Sequence, residues 1–157
     1  RTYKKRIITM KKTLSIAFVA ILALFSALPI WAQSCCNLPK NATDFITKHF
    51  SGYEINFFEK DRDVLDVDYT VYVGNGKYSY KLEFDKKGNV KDIESESRGA
   101  ALPQSVVPAN VLSYVKGAFP NAKITEWSKD GKKQLVELNN DMELVFNAKG
   151  KFLRMDD

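Results

Sequence analysis

The sequence predicts an α+β fold of two tandem α-β4 repeats, each a short helix packed on one face of a four-stranded antiparallel sheet. Three observations predict it. First, one stretch occurs twice: Pro39 to Asp61 (PKNATDFITKHFSGYEINFFEKD) and Pro108 to Asp130 (PANVLSYVKGAFPNAKITEWSKD) align without a gap at an offset of 69 residues. Pro, Asn, Phe, Ile, Lys and Asp recur in register at 39/108, 41/110, 50/119, 55/124, 60/129 and 61/130. Second, in each copy an apolar helical period gives way to strand alternation. Third, each set of strands is punctuated by turn residues rather than by further helices. A repeat of this length is one supersecondary unit used twice, and strands running on after each helix imply antiparallel sheet with helices on one side.

In the first unit, residues 38–94, Asn41 reads as an N-cap and Asp44 as a first-turn carboxylate facing free amides. Ala42, Phe45, Ile46, His49 and Phe50 form one apolar helix face, and Ser51-Gly52 ends it. Ile55, Phe57 and Phe58 mark a strand, and Lys60-Asp61-Arg62-Asp63 reads as a turn. Leu65, Val67, Tyr69, Val71 and Val73 alternate with Asp66, Asp68, Thr70 and Tyr72, a half-buried strand with its polar face showing. Asn75-Gly76 is the strongest hairpin signal, a type I′ turn with positive φ at both central residues. Tyr78, Tyr80, Leu82 and Phe84 then point inward, Lys77, Ser79, Lys81 and Glu83 outward. Asp85-Lys86-Lys87-Gly88 makes a second turn, and Asn89 to Glu94 a last, more polar strand.

Residues 95–103 (SESRGAALP) read as a linker without periodicity. The second unit, residues 104–157, repeats the order. Its helix starts at Asn110, buries Val111, Leu112, Tyr114, Val115, Ala118 and Phe119, and stops at Pro120-Asn121. Strands are expected near Lys123–Trp127, Gln134–Leu138, Met142–Phe146 and Lys151–Met155, with turns at Lys129-Asp130-Gly131, Asn139-Asn140-Asp141 and Asn147-Ala148-Lys149-Gly150. The two four-stranded sheets are expected to join or to pack side by side, with one face left to solvent.

Charge and cysteine usage bound the function. The net charge of +5 is misleading, because residues 1–32 hold six of the 24 basic residues and no acid. The remainder carries 18 basic against 19 acidic residues, a net charge of −1, so the composition offers no nucleic-acid face. Lys11-Lys12 followed by the apolar run Leu14 to Leu28 reads as a signal peptide over residues 1–32, with Met10 as the true start. That run is too short for a membrane span. Two exits stay open: cleavage after Ala32, releasing a periplasmic or secreted protein with a short 33–37 segment, or acylation of Cys35 at a loose lipobox, giving an outer-membrane lipoprotein. Cys35 and Cys36 are neighbours, a poor disulfide geometry, and have no further ligands for zinc.

A leader, then twice over a Leu-Pro or Val-Pro, a capped helix ending near Phe, an Ile-x-x-aromatic strand, a hairpin and Phe-Asp/Asn-x-x-Gly resembles the PepSY-like proteins. These are small exported proteins of Bacteroides-type bacteria, grouped as β-lactamase-inhibitor-like. The resemblance covers Leu38 to Met155. It implies tandem α-β4 units, with β-lactamase inhibitor protein as the structural relative, a protein that grips its target enzyme on a sheet surface. It carries over no site residue.

No residue set reads as catalytic, and neither cofactor nor metal is expected. His49 is a structural or solvated histidine near a helix C-terminus. Asp61, Asp63, Asp66 and Asp68 lack the glycine and distal glutamate of a calcium loop. The candidate partner-binding face is Asp66, Asp68, Tyr72, Lys81 and Glu83 in the first unit with Glu137, Glu143 and Val145 in the second. The expected function is an exported, non-enzymatic binding module meeting a protein or peptide of the cell envelope, such as a hydrolase or peptidase. The alternative is a lipid-anchored accessory protein of the envelope.

Overall fold

The computed structural model describes residues 37–62 and 67–156. Residues 1–32, read from the sequence as a signal peptide, and Cys35, Cys36, Asp63 and Asp66 lie outside the described residues. The order is α1 (Lys40–His49), β1 (Glu54–Arg62), β2 (Val67–Gly74), β3 (Ser79–Phe84) and β4 (Val90–Ser95), then α2 (Ala109–Ala118), β5 (Ile124–Asp130), β6 (Lys133–Leu138), β7 (Glu143–Asn147) and β8 (Phe152–Asp156). All eight strands form one antiparallel sheet in sequence order, β1 to β8. The two sets of strands therefore join. The seam is β4–β5, where Asp92, Ile93 and Glu94 pair with Ser128, Trp127 and Glu126.

Both helices cover the same face of the sheet, because alternation puts the apolar residues of every inner strand there. Ala42 and Ile46 of α1 and Val111 and Val115 of α2 are buried against Val71, Val73, Tyr80, Leu82, Phe84, Ile93, Trp127, Val136, Leu138, Leu144 and Phe146 in one continuous core. Phe45 meets Phe84 edge-on at 5.8 Å, and Tyr114 meets Phe146 edge-on at 5.5 Å, so each helix is anchored by the same aromatic contact. Residues 95–103 carry part of this core. Ala100 and Leu102 are buried, the Leu102 amide donates to the Ile124 carbonyl at 2.8 Å, and the Tyr80 hydroxyl donates to the Ala101 carbonyl at 3.0 Å.

The two Phe-x-x-x-Gly turns close in the same way. Asp85 Oδ1 accepts the amides of Lys87 and Asn89, and Asn147 Oδ1 accepts those of Lys149 and Lys151. Gly88 and Gly150 have φ of 80° and 76° and press on the starts of α1 and α2. The bulges recur too. Asn56 and Thr125 follow the first core isoleucine of β1 and β5, and Lys91 and Leu153 interrupt the β3–β4 and β7–β8 ladders.

Several local expectations are corrected. Pro39 and Pro108 hold the N-cap positions without a side-chain cap bond, so the helices begin before Asn41 and Asn110. Proline's fixed φ suits that site, and Asn110 instead donates to the Lys149 carbonyl of the β7–β8 turn at 3.1 Å. Asp44 consequently falls beyond the first turn and pairs with Lys40 one turn back. Lys60, Asp61 and Arg62 continue β1 instead of turning, with Lys60 Nζ 5.0 Å above the Tyr69 ring; an outer strand tolerates such charge. Lys129 and Asp130 likewise extend β5, leaving Gly131-Lys132 as the connection. The Asn75-Gly76 hairpin is a four-residue loop in which only Gly76 has positive φ, because Asn75 Oδ1 accepts the Lys77 and Tyr78 amides at 3.0 and 2.8 Å. Tyr78 is thereby drawn into the loop and exposed. Ala118, at the last position of α2, is exposed as well.

Candidate functional site

The sheet face opposite the helices carries the residues that packing does not use. Strand register sets Phe57, Tyr72, Lys81, Glu94, Glu126, Glu137, Glu143 and Asp156 directly opposite one another, one per strand, in a row across all eight strands. Five successive positions are carboxylates. Directly opposed side chains have Cβ atoms about 4.5–5.5 Å apart, and like charges so placed repel. A second row runs beside it: Glu59, Thr70, Glu83, Asp92, Ser128, Leu135, Val145 and Arg154.

One cation stands within the acidic stretch. Lys81 Nζ lies 2.8 Å from Glu83 and 3.8 Å from Glu94, and its bond to Glu83 holds its pKa up. Asp92 and Glu126 feel the Lys81 charge from further off, and it does not offset their burial and their acidic neighbours. Burial, with Glu94 and Glu137 on either side, pushes Glu126 up. Burial, followed by the charges of Glu126 and Glu83, pushes Asp92 up to about 7, and its Oδ1 is enclosed without a hydrogen-bond partner. Arg154 closes the far end, donating to both oxygens of Asp156 at 2.7 Å. At the other end Phe57 is 56% exposed and its ring lies 5.8 Å from that of Tyr72, an aromatic pair open to contact.

Of the residues read from the sequence, Tyr72, Lys81, Glu137 and Glu143 fall in the first row and Glu83 in the second. Asp68 lies on the same face and is held by Lys91 at 2.7 Å. Asp66 and Cys35 lie outside the described residues. Val145 belongs to this face by register yet is fully buried between Leu135 and Arg154, its cross-strand partners. Phe57, Asp92, Glu94, Glu126 and Asp156 were not read as face residues. Strand alternation around Ile93 and Trp127 was the available signal, but only the β4–β5 pairing brings them into line. His49 is half-buried with its ring 4.6 Å from Phe45, and burial followed by the Lys48 charge lowers its pKa, so it packs as part of α1.

The family model described as "Putative beta-lactamase-inhibitor-like, PepSY-like" matches residues 67–154. The chain belongs to this family. Among solved structures, the PepSY-like chain is similar to a "putative calcium-regulated periplasmic protein" of Bacteroides thetaiotaomicron, with 32% identity, TM-score 0.69, and coverage of 77% of this chain and 91% of that one. A periplasmic protein of Bacteroides vulgatus matches with 32% identity, TM-score 0.67, and 76% and 91% coverage. Another from the same organism, of unknown function, matches with 26% identity, TM-score 0.68, and 77% and 93% coverage. No curated protein matches the chain. These relatives are periplasmic, the PepSY-like chain is an exported protein of the same kind, and among the described residues no helix is long and apolar enough to cross a membrane. Among the described residues no group of three or more carboxylates, imidazoles or thiols is arranged to hold a metal ion.

Proposed function

We propose that the chain is an exported, non-enzymatic binding module that takes a cationic segment of an envelope protein or peptide on the open face of its sheet. The observation that carries this reading is the row of five carboxylates, Glu94, Glu126, Glu137, Glu143 and Asp156, on consecutive strands. Such a row costs folding free energy, and a site that breaks a local rule of stability is where function concentrates. A lysine- or arginine-bearing partner supplies the missing charge, and electrostatic complementarity gives it register and rapid association. The Phe57–Tyr72 pair at the end of the row offers the aromatic anchor that interfaces favour. The family's inhibitor-like description supports a hydrolase or peptidase as the owner of that segment. The recurring turns and bulges support the reading of two copies of one α-β4 unit, as in β-lactamase inhibitor protein, whose fused sheets make a surface wider than one copy provides.

The test is affinity capture from envelope extract on the immobilised chain, alongside Phe57→Ala/Tyr72→Ala and Glu126→Gln/Glu137→Gln variants. A stoichiometric protein held by the wild type, released by salt and lost from both variants supports the reading. Equal retention by both variants removes the open face from the function.

A further inference from the structure

The helix side of the sheet holds a second feature, unrelated to the carboxylate row. At the end where both helices start, a cleft of about 880 Å³ opens between α1 and α2, within the roughly 300–1,000 Å³ typical of small-molecule sites. Phe45, Val90 and Trp127 give it apolar walls, and Lys129 near the end of β5 and Lys149 in the β7–β8 turn line it from two different elements. Both lysines are exposed, and among the described residues neither forms an ion pair. One ionised acid, Asp85, also lines the cleft, with its oxygens directed onto the amides of Lys87 and Asn89 and the Asn89 carboxamide, so Lys129 and Lys149 outnumber it. The first residues of both ten-residue helices also border the cleft, and neither helix has a side-chain cap, so both positive dipole ends add to the lysines. Asp130 is the nearby counter-charge, and Lys132 follows it in the same hairpin.

We propose that this cleft binds a small organic anion with an apolar body, its charged group between Lys129 and Lys149 and its body against Trp127 and Phe45. Charge complementarity selects the anion, and the apolar walls select the body. The opposite charge of the open face makes the two surfaces separable.

The experiment titrates the full chain with 1-anilinonaphthalene-8-sulfonate and follows the indole N–H resonance of Trp127, identified in a Trp31→Phe background. The expected result is a saturable one-to-one shift. Uncharged N-phenyl-1-naphthylamine should bind at least tenfold more weakly. Lys129→Glu/Lys149→Glu should weaken the sulfonate at least tenfold at unchanged Tm, while Glu126→Gln/Glu137→Gln leaves it unaffected. An indole resonance that does not move at saturating dye overturns the proposal, as does equal binding of the uncharged probe or by the charge-reversed variant.

Discussion

The indole Nε1 of Trp127 donates to Oε1 of Gln134 at 3.0 Å inside the core. Gln134 is 5% exposed, the buried polar side chain among the described residues, and its Nε2 donates to the carbonyls of Asn147 and Ala148 at 3.2 and 3.3 Å. One carboxamide thus ties β5, β6 and the β7–β8 turn together. Gln134→Leu strands the indole N–H and removes the donor from two turn carbonyls, at an expected cost of about 1–3 kcal/mol in denaturant unfolding. Trp127→Phe removes the donor as well as part of the ring. The double variant should therefore cost less than the two single costs added, by at least ~0.5 kcal/mol. Additivity would mean that the bond contributes nothing beyond packing.

Gly88 and Gly76 have the same φ of 80°, yet their surroundings differ. A Cβ on Gly76 meets nothing within 4 Å, whereas one on Gly88 would lie 2.7 Å from the Ala42 amide nitrogen and 2.8 Å from Pro39 Cβ. Alanine at Gly76 should cost only the left-handed backbone, about 1–2 kcal/mol. Alanine at Gly88 adds displacement of the first turn of α1, typically ~1–3 kcal/mol more. Equal losses in the two unfolding curves would show that the turn does not bear on the helix.

The contrast between these glycines also shows what the sequence could and could not reveal. The turns after Phe84 and Phe146 were legible because their bonding is local: a side-chain oxygen and amides two and four residues on. Tyr72, Lys81, Glu137 and Glu143 were legible because strand alternation assigns a face. The seam was not. Glu94 and Glu126 become neighbours only when β4 pairs with β5, and no local pattern encodes which strand edges meet. Residues 95–103 connect the two sets of strands, and the burial of Ala100 and Leu102 there was not legible for a related reason, since it comes from tertiary contact and follows no period.

Asp92 makes stability depend on pH. Its folded value of about 7 stands above the ordinary 3.8, so the fold favours its protonated form. Between about pH 4 and 7 the folded protein holds a proton that the unfolded chain has released. This contribution is complete below the unfolded value and lost as pH rises through 7. Glu126, shifted the same way, adds to the trend. Because Asp92 keeps partial contact with solvent, the total should be on the order of 1–2 kcal/mol after screening. Asp85 acts in the other direction: despite its burial, the bonds from Asn89 and Lys87 hold its pKa down, and its contribution disappears only in stronger acid. Asp92→Asn should raise Tm at pH 8 and flatten the fall between pH 4 and 7. An unchanged slope would mean that Asp92 titrates as an ordinary carboxylate.

Glu137 tests whether the row is costly. It stands between Glu126 and Glu143 on the open face, with a carboxylate directly opposite on each side. Glu137→Gln removes two repulsive pairs and keeps the shape, so it should stabilise the fold by roughly 0.2–1 kcal/mol per pair. Salt must act in the same sense. Between 0.01 and 1 M ionic strength the screening length falls from about 30 to 3 Å, shorter than the spacing of the row. Wild-type Tm should therefore rise with sodium chloride, and Glu137→Gln should rise less. The same substitution should weaken capture of a cationic partner, because the repulsion that costs stability is the field that the partner neutralises. A variant that is more stable and binds less is the signature of a surface kept for binding. A variant with wild-type Tm and wild-type salt response would show that the carboxylates are solvated independently and do not act as a row.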